Sequence, residues 1–86
     1  MYIYRLQILS SKSYSEEQLN NIIGVSSNFP YADWGIEIIQ SGENFSEILV
    51  YFLSLLEGKY EKLESIGISR ENISIWILYE YEGQCN

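Results

Sequence analysis

Two carboxylates, Glu80 and Glu82, stand two residues apart near the end of the chain. On an extended backbone that spacing puts both on one face, in line with Trp76 and Leu78. Paired acids of this kind can bind a hard cation or share acid–base work. The competing reading is the solvated end of a strand, which describes most surface carboxylates. Glu43 and Glu47 lie near a helix start, where the helix dipole already accounts for them. Cys85 is the one cysteine, and its acidic neighbours disfavour the thiolate a nucleophile needs. Histidine is absent. That removes the commonest general base and the usual zinc ligand, and with them any Ser-His-Asp or Cys-His arrangement. Gly24, Gly35 and Gly42 fall in separate turns rather than in a phosphate-binding loop. The sequence therefore predicts a non-enzymatic protein with no catalytic residue, metal site or cofactor. A carboxylate- or metal-dependent enzyme is the catalytic alternative.

Arg5 sits mid-strand among residues that alternate in character. If registers agree, Glu37 and Glu80 occupy the matching face of two other strands, so a cross-strand ion pair is expected. A partner-facing role is the sharper reading, because arginine is enriched where binding energy concentrates.

The 86 residues carry five Lys and Arg against twelve Asp and Glu, a net charge of −7. Such a chain repels the phosphate backbone of nucleic acids and anionic membrane surfaces. It attracts a basic protein partner and speeds the encounter. The same acidity also keeps a small protein soluble. A lone cysteine fits a reducing cytoplasm. The start of the chain lacks the pattern of a signal peptide, and no apolar helical stretch is long enough to span a bilayer. A single domain of this length buries only about 60–65% of the surface its unfolded chain exposes, which favours oligomerisation.

The elements that position these residues follow from periodicity. Residues 2 to 9 alternate, with Tyr2, Tyr4, Leu6 and Ile8 on one face and Ile3, Arg5, Gln7 and Leu9 on the other. Ser15 can cap a short helix over 16–23, with Gln18 three residues on and Gly24 as a left-handed stop. Residues 25–33 read as a connection. Trp34 to Gln40 is a second strand. Residues 43–66 are helical, with Phe45, Ile48, Leu49, Phe52, Leu55, Leu56, Lys59, Tyr60, Leu63 and Ile66 on one stripe. Gly58 predicts a kink or a break near Glu57. The β-branched and aromatic run from Asn72 to Tyr81 reads as a last strand, central in character and largely buried. The order β-α-β-α(α)-β predicts an α+β fold, a small three-stranded sheet with two or three helices on one face. Helices between successive strands suggest crossover connections.

Taken in order, these elements resemble a known family. The carriers are Tyr14-Ser15-Glu16-Glu17-Gln18-Leu19 through Ile23-Gly24-Val25, a Trp-bearing strand, and a helical pair split near a glycine. They continue with Ile73-Ser74-Ile75-Trp76 through Tyr81 and Gly83-Gln84-Cys85-Asn86. The pattern is similar to a family of small uncharacterised bacterial proteins, the domain-of-unknown-function family numbered four-two-seven-nine. Members usually continue with a further short helix and strand, so the resemblance implies a fragment or a shortened relative. It also implies a binding role, because related small acidic proteins often act as immunity proteins beside toxins. It supplies no catalytic residue.

One sheet face is expected to receive the helices through Tyr2, Tyr4, Leu6, Ile8, Trp34, Ile36, Ile38, Ile73, Ile75 and Ile77. The other carries Ile3, Leu9, Ile39, Trp76 and Leu78 among Arg5, Gln7, Glu37, Glu80 and Glu82. That mixture of aromatic, aliphatic and charged groups resembles an interface. The expected binding residues are Arg5, Glu37, Ile39, Trp76, Leu78, Glu80 and Glu82. The expected occupant is a basic protein, as for an immunity-type inhibitor of a toxin, or alternatively a second copy in a structural homo-oligomer.

Overall fold

The computed structural model describes residues 1–80. Tyr2–Ile8 forms β1, the middle strand of a three-stranded sheet. Trp34–Gln40 (β2) and Ile73–Tyr79 (β3) flank it, both antiparallel to β1. Three α-helices complete an α+β fold: Glu16–Ile23 (α1), Phe45–Leu56 (α2) and Tyr60–Ser65 (α3). A single 3-10 turn, Arg70–Asn72, leads into β3.

The helices sit on the even-numbered face of β1. Tyr4, Leu6 and Ile8 form one core cluster with Trp34 and Ile36 of β2, Leu19 and Ile23 of α1, Ile48, Phe52 and Leu56 of α2, Leu63 of α3, and Ile68. The local signals act as expected. Ser15 Oγ accepts the N–H of Gln18 at 3.1 Å, and Gly24 closes α1 with φ +90°. The long helical stretch breaks at Gly58, φ +75°, a conformation that L side chains rarely adopt. Lys59 then turns back, its Nζ donating to the carbonyl of Ile23 at the end of α1, 2.9 Å away, where a cation meets the negative end of the helix.

Two expectations are corrected. The connection from β1 to β2 is not a parallel crossover. A strand of seven residues is about 23 Å long, whereas the eight residues of α1 rise only about 12 Å. The residues after α1 do not make up the difference, because Asn28 and Phe29 fold back on the edge and outer face of the sheet. The chain comes back to the end it left, and Trp34 lies opposite Ile8. The longer α2–α3 pair does traverse the sheet, carrying the chain across β1 from Gln40 to Ile73. The second correction concerns β3, which is neither central nor largely buried. It is an edge strand, and Trp76, Ile77, Leu78 and Tyr79 are all exposed, at 47, 42, 38 and 53%. Successive side chains of a strand point to opposite faces, so neither face is covered there. The helices receive Ile75 but fall short of Ile77.

Candidate binding surface

On the face away from the helices, the register assembles the side chains in cross-strand rows. Ile39, Ile3 and Leu78 form one row spanning all three strands. Ile39 is 53% exposed. The next row is Glu37, Arg5 and Trp76. The third is Gly35, Gln7 and Ser74, and here the loop between α1 and β2 folds over the sheet. Phe29 is buried against it. Gly35 makes room for that ring, since a Cβ there would stand 3.0 Å from Phe29 Cβ.

Arg5 is fully engaged within the protein. Its Nη2 donates to Glu37 Oε2 at 2.8 Å and its Nε to the same oxygen at 3.2 Å. Its guanidinium carbon lies 4.2 Å from the centre of the Phe29 ring, a cation–π contact. Of the two carboxylates weighed as its partner, the register selects Glu37. Trp76, not Glu80, is the residue opposite Arg5 on β3. The Trp76 indole N–H donates to Ser74 Oγ at 3.3 Å, leaving the exposed part of the side chain apolar in character. Glu80 is exposed just past the end of β3. Of the seven expected binding residues, Arg5, Glu37, Ile39, Trp76 and Leu78 share this face, with Glu80 at its margin. Glu82 lies outside the described residues, as does Cys85.

The backbone adds a feature that residue types do not show. Met1 and Glu80 exchange both bonds, the terminal amine donating to Glu80 O at 2.9 Å and Glu80 N–H to Met1 O at 2.8 Å. Antiparallel ladders alternate, so Ser74, Trp76 and Leu78 also turn their backbone groups toward β1. Those of Ile73, Ile75 and Ile77 point outward. Ile73 N–H is taken by Arg70 O. Among the described residues, nothing bonds the outward groups of Ile75 and Ile77.

Other exposed apolar groups lie on α2, where Val50, Tyr51 and Leu53 face outward at 66, 41 and 54%. Sequence reading passed over them because they lie off the buried stripe, although three apolar residues on an outer face were the available signal. Shallow depressions beside them are lined by Leu53, Ser54, Glu57 and Tyr60 and by Ser46, Glu47 and Val50. These open onto solvent and gather few polar groups. Among the described residues, no three His, Cys, Asp or Glu side chains converge as metal ligands would, and no helix is long and apolar enough to cross a membrane.

No family model matches the chain, and no curated protein or solved structure matches it either.

Proposed function

We propose that this chain is a non-enzymatic protein-binding module that docks a partner on the outer face of its sheet. The observation that carries the reading is the row Ile39–Ile3–Leu78, exposed at Ile39 and Leu78 and half-buried at Ile3, with exposed Trp76 beside it. Aromatic and aliphatic groups ringed by charge are the composition of a binding patch. The net charge of −7 favours a basic partner and repels nucleic acid. The most concrete form is an immunity-type inhibitor that covers a basic surface of a toxin. The missing histidine, the absence of converging ligands among the described residues and the engagement of Arg5 with Glu37 all favour binding over catalysis.

The test is capture of a basic protein partner by the wild-type chain and by two variants, with circular dichroism confirming that each is folded. Trp76→Ala is expected to weaken capture about tenfold or more, as loss of a central aromatic does. Glu80→Lys is expected to weaken it less and to flatten its salt dependence. Full capture by both folded variants would remove the outer face as the binding surface.

A further inference from the structure

The free edge of β3 has properties that the outer face does not. Ile73–Tyr79 contains no charged residue and no proline. Edge strands are normally blunted by lysine, proline, bulges or cover. An exposed, uncharged, β-branched and aromatic segment instead invites another strand. The opposite edge of the sheet is finished differently. At β2, Gly35 N–H donates to Ser27 Oγ at 3.0 Å, Gly35 O accepts from Asn28 N–H at 2.8 Å, and Asn28 takes both backbone groups of Glu37. The described residues thus leave β3 as the long open edge.

We infer that a second copy of this chain pairs with β3 in antiparallel fashion, joining two sheets into one of six strands. Three observations select this occupant. First, each copy carries a charge of −7, and copies repel wherever their carboxylates meet; the uncharged edge lets them approach. Second, among the described residues β2 leaves only the outward backbone groups of Ile39 unbonded, so β3 is the one long open edge, and one such edge per molecule gives a two-fold, self-closing contact rather than an open array. Third, the pattern is self-complementary. Groups that point outward must pair with groups that point outward, so Ile75 of one copy exchanges bonds with Ile77 of the other. That register bonds Ile75 and Ile77 of both copies to each other and centres the two-fold on Trp76. Both Trp76 side chains then meet directly across the axis on the outer face, an aromatic cross-strand pair. The helices of both copies remain together on the other side. Glu80 of each copy comes to the end of the partner strand where the turn of Arg70, Glu71 and Asn72 lies.

The inference concerns the edge and stands apart from the outer-face reading: capture of a basic partner tests the face, and self-association tests the edge. The experiment measures the solution mass of the full chain by light scattering over a concentration series. A mass twice that of the chain is expected, falling to the monomer value on dilution. Ile77→Lys places a charge beside the centre of the contact while making the chain less negative, and is expected to give a folded monomer. Register is read by oxidative cross-linking in a Cys85→Ser background. Position 76 meets its own copy at a Cα separation of about 4.5 Å, within disulfide reach. Trp76→Cys is therefore expected to cross-link, and Ser74→Cys, offset from its own copy, is not. A wild-type monomer across the series overturns the inference. So does a dimer unaffected by a folded Ile77→Lys, which would place the contact elsewhere. If Ile77→Lys fails to fold, the wild-type mass and the cross-linking pair still decide it: cross-linking at Ser74 but not at Trp76 would overturn the register.

Discussion

Along β2, Ser27 and Asn28 take the backbone groups of Gly35 and Glu37 that point away from β1; along β3, those of Ile75 and Ile77 meet nothing among the described residues. The Asn28 side chain behaves at β2 like one residue of a fourth strand. Its amide donates to Glu37 O at 3.2 Å and its carbonyl accepts from Glu37 N–H at 2.7 Å. Phe29, the next residue, covers the outer face at Gly35 and Arg5. One short polar-looking loop thereby closes an edge and one end of a face together. The strand on the other side of β1 has similar apolar character and, among the described residues, no such loop. Covering thus depends on where a connection runs rather than on how hydrophobic the strand is. The bare edge is where another molecule can supply the missing bonds.

The largest expected contrast comes from truncating one aliphatic residue on each edge. Ile36 of β2 is 6% exposed and Ile77 of β3 is 42% exposed, and both point toward the helix side. Ile36→Ala removes buried atoms and leaves a cavity, and is expected to cost about 2–5 kcal/mol in denaturant unfolding. Ile77→Ala in dilute protein is expected to cost less than about 1 kcal/mol, because only part of the side chain leaves water. Equal losses would mean that β3 is covered in solution even when dilute.

A smaller effect is expected from Asn28→Ala. Two hydrogen bonds to the Glu37 backbone are lost, costing about 1–2 kcal/mol. The Glu37 amide should then exchange with solvent far faster, while amides of β1 keep their protection. Because the substitution opens a second edge, it should also produce association beyond a dimer at high concentration. Unchanged exchange at Glu37 would show that the loop holds without its side-chain clasp.

Much of this arrangement can be read from residue order. Period-2 alternation assigned both faces of all three strands, because register in an antiparallel sheet preserves faces. Ser15, Gly24 and Gly58 marked helix ends because capping and left-handed backbone are local chemistry. Strand order was not legible. β1 carries Arg5 and Gln7 mid-strand yet is central, because Glu37 and Phe29 engage Arg5 on the outer face. Ile73–Tyr79 has the composition of a central strand yet lies at the edge. Composition reports what a strand tolerates, whereas its neighbours follow from connection length, such as the shortness of α1. The cover supplied by Asn28 and Phe29 was missed for a related reason: a segment rich in Ser, Asn and Pro reads as a connection. A large aromatic side chain in that segment was the signal that it packs back onto the sheet.

The mildest expected perturbation separates the role of Arg5 in the fold from a role at the surface. Arg5 and Glu37 form a partly buried pair with side chains 21 and 26% exposed. Cross-strand ion pairs of this kind contribute up to about 1 kcal/mol. Arg5→Ala should therefore lower stability by no more than about that amount, plus a small loss from its contact with Phe29. Glu37→Ala should do nearly the same, and the double variant should cost less than the two single losses added together. Both substitutions should leave capture of a basic partner close to wild type, since the pair satisfies itself beneath Phe29 and beside the apolar row. A loss of capture in a folded Arg5→Ala chain, with stability unchanged, would move the arginine from the framework of the covered side of the sheet to the exposed side. It would extend the binding surface from β3 across β1.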